Sequence, residues 1–247
     1  MSNSIGKTFW QQTKHAFLPQ SPQSRGEPQP PLELPYDPTA HLIPLINPDR
    51  LSLPDASLWE AMNRRATLRR YSSAPLTLNE LSALLWFTQG VKEVTNRPVT
   101  LRTVPSAGAR HAFETYLLIN RVEGLQPGLY RYVAIEHALL GLSFDETINE
   151  QLTQACFNQR QVAASAVSFF WAAIAERMFW RYPERGYRYL LLDAGHICQN
   201  LYLAAEGLGC GVCAIAAYDD DAVNAALGLD GETAFLVYAA SLGKRIS

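Results

Sequence analysis

The sequence predicts an α+β domain in which helices pack on a central sheet. With 247 residues, of which 48% are hydrophobic and 18% charged, the chain can bury one large core. Apolar residues recur at helical steps from Arg188 to Glu206, and a strand of small residues, Val212–Ala217, follows directly. The other predicted helices and strands alternate without a regular βαβ rhythm, which favours α+β over a doubly wound parallel sheet.

Charge and hydrophobicity argue against a nucleic-acid-binding protein and against a membrane protein. The formal net charge of −2 gives no overall field that would attract nucleic acid or an anionic membrane. No N-terminal apolar segment resembles a signal peptide, and the longest apolar run, Phe169–Ala175, is too short to span a bilayer. We therefore expect a cytoplasmic protein whose main partner is neither nucleic acid nor a membrane.

The cysteines do not predict a metal site. Only Cys210 and Cys213 form a C-x-x-C pair, and no further ligands follow at a spacing suited to zinc. A strand would send the two side chains to opposite faces of a sheet. We expect buried cysteines in a reducing compartment, and no metal.

Residues 1–54 are expected to form an extension ahead of a single domain spanning 55–247. Ten of the fifteen prolines fall in this segment, which bars most of it from helix and sheet interiors. The apolar residues Leu42, Ile43, Leu45 and Ile46 favour contact with the domain surface or a partner subunit. A partly disordered leader is the alternative.

The first half of the domain is predicted to contain two helices and a β-hairpin. A short helix covers Ser57–Arg64, and Thr77 with Glu80 makes a capping box for a helix closed by Gly90. Residues 91–104 are expected to form a loop. The segments 114–122 and 128–134 have strand composition, and the residues between them favour a hairpin turn.

The second half is predicted around the long apolar helix. A helix over 146–157, a central strand over 165–175 and a short helix reaching Tyr182 precede it. Gly207 and Gly209 end the apolar helix, and an Asp-capped helix ending at Gly228 and a strand over 234–242 complete the domain.

The apolar helix itself is expected to be buried on most sides. Its polar exceptions, Asp193, His196 and Asn200, lie on one stripe and would need polar partners or a subunit contact. On a buried helix, His196 is more often a satisfied core histidine than a catalytic base.

The most basic segment is a candidate phosphate site. In an extended chain, residues two apart point the same way, so Arg65, Thr67 and Arg69 would converge, while Ala66 and Leu68 face the opposite side. Two guanidinium groups and a hydroxyl suit a monophosphate, and a solvated basic loop is the alternative. The glycines of 207–211 follow a helix C-terminus, where the dipole repels phosphate, so they do not predict a dinucleotide site.

Four separated motifs give the chain a family resemblance. They occur in order between about Leu53 and Lys244. The four are Arg65-x-Thr67-x-Arg69, the turn at 105–108, the stretch 124–130 and Asp193-Ala194-Gly195-His196. Together they resemble the nitroreductase superfamily, and within it the SagB-type dehydrogenases, relatives of thiazole/oxazole-forming oxidases. The resemblance implies a nitroreductase-like fold, with a mostly antiparallel central sheet flanked by helices and completed by dimerisation.

The resemblance also implies a cofactor and its contacts. Two FMN molecules would lie at the interface of a homodimer, each with its phosphate and ribityl chain held by the 65–69 segment. The 105–108 turn would approach from the other subunit, residues 158 and 161 would bond the pyrimidine edge, and residues 215–217 would line the ring near N5. The implied cofactor-binding residues are Arg65, Ala66, Thr67, Arg69, Pro105, Ser106, Ala107, Gly108, Asn158, Gln161, Ile215, Ala216, Ala217, Lys244 and Arg245.

Two departures from the family pattern concern the reaction. Ala216 and Ala217 stand where the superfamily frequently has Glu-Gly, which bears on nicotinamide-dependent reduction. Arg181 and Tyr182 stand where azole-forming members have a Lys-Tyr pair. We take these two as the candidate catalytic residues, although an arginine is a poor general base; an ion pair with a packed ring at a helix end is the alternative.

The resemblance thus implies an FMN-dependent oxidoreductase that works by ping-pong hydride transfer through flavin N5. Its substrate would be a small molecule or peptide-derived group, with NADH, NADPH or neither as the reductant. One alternative is a non-catalytic flavin-binding subunit of a peptide-modifying complex. Another, an arginine-rich nucleic-acid binder, would require an exposed 64–70 segment free of flavin.

Overall fold

A seven-stranded antiparallel sheet forms the centre of the molecule. The computed structural model describes residues 4–246. The strands run in the order β1-β6-β5-β4-β7-β9-β8, and each neighbouring pair is antiparallel. Their bounds are β1 Leu42–Pro44, β4 Phe113–Ile119, β5 Gly128–Val133, β6 Ala138–Ser143, β7 Val167–Ile174, β8 Cys210–Ile215 and β9 Ala234–Lys244; a separate hairpin pairs β2 Val91–Val94 with β3 Thr100–Arg102.

Eight α-helices accompany the strands in the described part of the chain. Their bounds are α1 Ile5–Gln12, α2 Leu58–Arg64, α3 Leu78–Gln89, α4 Ile148–Ala155, α5 Arg160–Ala164, α6 Ala175–Phe179, α7 Gly186–Gly207 and α8 Asp220–Leu227. Short 3-10 turns lie at 15–17, 23–25, 48–50 and 107–109.

The alternation of side chains along the sheet produces two cores. On β7, Phe169 and Trp171 join the core under α3 and α7, whereas Phe170 and Ala172 join the core under α4 and α8. All four side chains are fully buried, so β7 is covered on both faces. The fold is therefore a sheet between two helical layers.

The predicted caps are present. Thr77 and Glu80 bond reciprocally at the start of α3, Asp219 accepts from the Ala222 N–H at the start of α8, and Gly228 ends that helix in the left-handed region. The predicted hairpin is also confirmed, because β4 and β5 pair in antiparallel register.

Four strands were not predicted. Residues 91–104, expected to form a loop, contain β2 and β3. The expectation was wrong because β2 is mostly exposed and the buried residues of β3, Thr100 and Arg102, are polar, so neither strand shows an apolar alternation. Strand β6 also went unrecognised. In the Pro-rich extension, Leu42–Pro44 pairs with β6 at the sheet edge, where a proline costs no ladder hydrogen bond.

Helix α7 is less buried than its composition predicted. Leu191 and Leu192 are 60% and 58% exposed, and Gly195 and His196 lie on the same exposed face. The sheet and α3 cover only part of the helix surface, so an apolar face remains open. His196 is consequently not a core histidine, which corrects the expectation from sequence.

The extension is bound to the domain through polar contacts. The Leu34 N–H donates to Glu114 Oε1 (2.8 Å), and Arg177 donates through Nε to the Pro31 carbonyl (2.9 Å). Glu114 and Arg177 also form a buried ion pair at 2.7 Å. Residues 31–35 therefore supply hydrogen-bond partners to charges that the sheet buries.

Candidate functional site

The predicted phosphate-binding segment runs beside the start of β8. Thr67 makes a parallel bridge with Val212, and the Leu68 N–H donates to the Val212 carbonyl (2.9 Å). Leu68 packs over Gly211, where an added β-carbon would lie 2.5 Å from Leu68 Cδ1. The extended backbone and the inward packing of Leu68 turn the flanking odd-numbered side chains the other way.

Tyr202 on α7 connects these side chains. The Arg65 guanidinium lies over its ring at 5.4 Å, and the hydroxyls of Thr67 and Tyr202 are 3.1 Å apart. Tyr202 Oη also accepts from the Ala214 N–H of β8 (3.0 Å). Sequence reasoning missed Tyr202; the available signal was a hydroxyl within an aliphatic helix, which requires a partner when buried.

Arg69 lies next to Cys213 on β8. Burial raises the pKa of the Cys213 thiol, and the Arg69 charge and hydrogen bonds from Gln161 and Arg69 oppose that rise. Gln161 Nε2 donates to Gln159 Oε1 (2.9 Å), and Gln159 Nε2 donates to the Ala217 carbonyl (2.7 Å). The start of α5 is thereby held against the end of β8.

We call this cluster the first half-site; it consists of Arg65, Thr67, Arg69, Gln161, Tyr202, Cys213 and residues 214–217. Ile215 is buried, whereas Ala216 and Ala217 are exposed. Asn158 is exposed and takes a left-handed backbone conformation with φ of 56°.

Two predicted cofactor contacts are already paired with glutamates. Lys244 Nζ forms an ion pair with Glu80, and the Arg245 guanidinium forms one with Glu206. By contrast, within residues 4–246 neither Arg65 nor Arg69 has a carboxylate within ion-pair distance. The free positive charge of this region therefore lies on the 65–69 segment.

A second half-site consists of the 105–108 turn, Asp193, Arg181 and Tyr182. Asp193 Oδ2 accepts from Ser106 Oγ (2.7 Å), and Asp193 Oδ1 accepts from the Ala107 N–H (3.2 Å). Burial raises the pKa of this carboxyl, and the hydrogen bonds from Ser106 and Ala107 and the charge of His196 act against that rise. Asp193 is thus the polar anchor that fixes the turn on α7.

Gly108 brings Tyr182 onto the turn. Its φ is 57°, and a β-carbon there would lie 2.5 Å from Tyr182 Oη and 3.2 Å from Arg181 Cδ. The Arg181 guanidinium lies 5.6 Å from the centre of the Tyr182 ring. The two candidate catalytic residues therefore contact the turn that was predicted to reach the cofactor.

His111 closes the turn from the other side. Its N–H donates to Ser106 Oγ (2.9 Å), and its side chain is buried between cationic neighbours. Burial lowers the pKa of His111 to about 3, and the charges of Arg102 and Arg110 contribute to that shift. The ring is consequently neutral at physiological pH.

The two half-sites do not meet within one chain. Asp193 and Tyr202 are nine residues apart on α7, so the helical rise separates them by about 14 Å. Within residues 4–246, no group of His, Cys, Asp and Glu could hold a metal, and no helix is long and apolar enough to cross a membrane.

Comparisons of the sequence give consistent relatives. The nitroreductase family model matches residues 61–244. MJ1384 of Methanocaldococcus jannaschii, assigned as a nitroreductase, is 34% identical over 177 residues, covering 70% of this chain and 87% of that protein. The trifolitoxin-processing protein TfxB of Rhizobium leguminosarum bv. trifolii is 28% identical over 194 residues, covering 74% of this chain and 52% of TfxB.

A further relative is the microcin B17-processing protein McbC of Escherichia coli, 27% identical over 136 residues, covering 53% of this chain and 50% of McbC. The chain thus spans about half the length of these two processing proteins.

Solved structures share the fold. One from Anabaena variabilis, assigned as a nitroreductase, has a TM-score of 0.70 and 30% identity, covering 85% of this chain and 42% of that one. A chain of the Escherichia coli McbBCD microcin synthetase complex has a TM-score of 0.59 and 22% identity, covering 82% of this chain and 78% of that one. The predicted α+β nitroreductase-like fold is confirmed, and the chain belongs to the nitroreductase family.

Proposed function

We propose that the protein is an FMN-dependent oxidoreductase of the SagB type, with the FMN phosphate bound at the first half-site. The observation that carries the proposal is the pair of guanidinium groups, Arg65 and Arg69, which flank the Thr67 hydroxyl and lack a carboxylate partner within residues 4–246. Two such forks and a hydroxyl match the charge and acceptor oxygens of a phosphate monoester.

The rest of the first half-site fits a flavin ring. Gln161 and Asn158 offer amide donors and acceptors for a pyrimidine edge, and the exposed Ala216 and Ala217 leave room for a flat ring beside the end of β8. Because Lys244 and Arg245 are paired with Glu80 and Glu206, Arg65 and Arg69 would provide most of the charge that binds the phosphate.

A second copy of the chain would complete the site. The exposed face of α7, with Leu191 and Leu192, supplies an apolar surface suited to a homodimer. A separate apolar cavity of about 430 Å³ lies between α2, α3 and the C-terminal half of α7. In such a dimer, the second half-site of one protomer would face the first half-site of its partner.

When bound, FMN would supply two-electron hydride chemistry at N5, in a ping-pong cycle with separate reducing and oxidising substrates. The role proposed for Tyr182 is to donate or accept a proton at Oη, next to the Arg181 charge. Arg181 would hold an anionic group of the substrate, because its guanidinium cannot act as a base at physiological pH.

The alternative function is a flavin-binding subunit of a peptide-modifying complex that does not turn over alone. The names of TfxB and McbC, and the solved McbBCD complex with a truncated pro-MccB17, favour this alternative. Reduction by NADH or NADPH and reoxidation by an isolated substrate would support the enzyme; a flavin that is bound but inert without partner proteins would support the alternative.

Replacing Arg65 and Arg69 together by Ala tests the phosphate site. Each lost charge-assisted contact costs about 1.5 kcal/mol or more, so we expect FMN affinity to fall by about 100-fold. The matched control is Arg64→Ala with Arg70→Ala, which removes the same charge from exposed neighbours. Visible spectra and equilibrium dialysis measure the flavin. Equal FMN affinity in the two double variants would refute this phosphate site.

A further inference from the structure

Arg97 and Arg110 lie near Arg181 of the second half-site, and in the described part of the chain none of the three has a carboxylate partner. Arg97 and Arg181 line a cavity of about 530 Å³ together with Gly108 and Ala109, and Arg110 donates through Nε to the Gly108 carbonyl (3.2 Å). Within residues 4–246 none of the three forms an ion pair, although Glu93 also lines the cavity.

Aromatic rings hold two of these arginine side chains in place, and all three make few side-chain hydrogen bonds within the described residues. Arg110 is buried, and its guanidinium stacks over the Trp180 ring at 5.1 Å. Within the described residues its side chain makes one hydrogen bond, to the Gly108 carbonyl. Arg181 stacks on Tyr182, and neither Arg97 nor Arg181 donates a side-chain hydrogen bond to residues 4–246. Most of their N–H groups are thus available to a ligand.

The arrangement concentrates positive charge. Burial lowers the pKa of Arg110, and the charges of Arg181 and Arg97 lower it further, while Tyr182 acts against them. Arg97, Arg181 and Glu93 line the cavity, and Arg110 lies beside it through its bond to Gly108, so the region carries three positive charges and one negative charge, a net charge of +2. Like charges held together without counter-ions raise the energy of the free protein, and a bound anion would relieve that repulsion.

We propose that Arg97, Arg110 and Arg181 form a binding site for a doubly charged oxyanion carried by the substrate. Guanidinium forks match the planar oxygen pairs of carboxylates and the oxygens of phosphate. Two sources have this chemistry: the ribose phosphate of a nicotinamide dinucleotide, and neighbouring carboxylates of a peptide-derived substrate. The assignment of the ligand as a substrate rests on the proposed function, because Tyr182 and Gly108 belong to the same half-site.

The test compares matched pairs of probes on the protein as purified. Calorimetric titration compares NADPH with NADH, and a short peptide ending in Asp-Asp amide with the same peptide ending in Asn-Asn amide. We expect Arg97→Gln and Arg181→Gln each to weaken binding of NADPH or of the acidic peptide by about tenfold, and to leave binding of the matched probe, which lacks the added phosphate or carboxylates, unchanged. Arg50→Gln, which removes an exposed arginine outside the cavity, should bind like the unchanged protein.

The outcomes identify the source. A loss confined to NADPH assigns the phosphate, and a loss confined to the acidic peptide assigns the carboxylates. No preference for either charged probe, or a preference that survives both substitutions, overturns the proposal. Arg110→Lys adds a variant that keeps the buried charge but loses the planar fork, and it should weaken the same probe. Flavin content, read separately from the visible spectrum, reports failure of the proposed function independently of anion binding.

Discussion

Gly108 occupies a position where a side chain would displace Tyr182. Its φ of 57° disfavours L residues, and a β-carbon would meet Tyr182 Oη at 2.5 Å. We expect Gly108→Ala to cost about 1 kcal/mol from the backbone conformation, and in addition to slow flavin reoxidation because the hydroxyl moves.

Gly124→Ala is the matched control, since Gly124 has φ of 78° and nothing within 4 Å of an added β-carbon. Melting temperatures should fall in both variants, whereas turnover should fall only in Gly108→Ala. Equal turnover in the two variants would exclude the proposed role of the Tyr182 hydroxyl in catalysis.

His111 should make the fold sensitive to acid. Its pKa is lowered from 6.5 to about 3 in the folded state, so between these values the unfolded chain binds a proton that the folded chain does not. Stability therefore falls as pH falls from 6.5, by up to about 1.4 kcal/mol per pH unit from this residue.

His111→Asn removes the titrating ring and tolerates the φ of 42° at this position. Urea unfolding between pH 6.5 and 4 should show a shallower dependence on pH in the variant than in the unchanged protein. The two slopes would coincide if the buried ring accepted a proton readily through movement of Arg102 and Arg110.

At the scale of elements, a buried ion pair connects β4 to α6 and contacts the extension. Glu114 on β4 and Arg177 on α6 are 3% and 4% exposed, and Glu114 also accepts from the Leu34 N–H. Glu114→Gln would leave the Arg177 charge buried without a counter-ion, so we expect a loss of about 3–5 kcal/mol in the free energy of unfolding.

The control is Glu27→Gln in the exposed pair with Arg25, whose side chains are 49% and 47% exposed. That change should cost no more than about 1 kcal/mol. Denaturant unfolding measures both variants, and proteolysis between residues 19 and 40 reports whether the extension is released. Similar losses in both variants would show that Arg177 finds another partner.

At the scale of the whole molecule, the open face of α7 predicts a homodimer. Light scattering should give about twice the chain mass of 27.5 kDa. Leu191→Asp with Leu192→Asp places charge on residues that are 60% and 58% exposed, so the monomer should fold while association is lost. Flavin binding should weaken in the same variant, because each flavin site would lose the 105–108 turn of the partner subunit.

The exposed residue Leu142 on β6, 42% exposed, supplies the control: Leu142→Asp should leave the mass and the flavin content unchanged. A flavin-loaded protein of 27.5 kDa before any substitution would exclude the two-chain site.

Local signals in the sequence determined several elements of the fold. The capping box at Thr77, the cap at Asp219 and the glycine at 228 are set by neighbouring residues, so they could be read from spacing alone. The buried strand β7 and the apolar helix α7 were likewise predictable, because their composition reflects burial on the sheet.

The tertiary structure decided what long-range contacts control. Strand β1 includes Pro44, which is tolerated because β1 lies at the edge of the sheet beside β6. No local sequence pattern predicts that pairing. The exposure of one face of α7 depends on how much of the helix the sheet and α3 can cover. Composition cannot distinguish a covered apolar face from one left open for a partner.

The same division holds for the candidate site. Extended spacing was enough to predict that Arg65, Thr67 and Arg69 lie together, since side chains two apart share a face. The contribution of Tyr202 and the convergence of Arg97 and Arg110 on Arg181 join residues distant in sequence. Only the folded chain brings such residues together, because packing between elements, and not local conformation, fixes the distances between them.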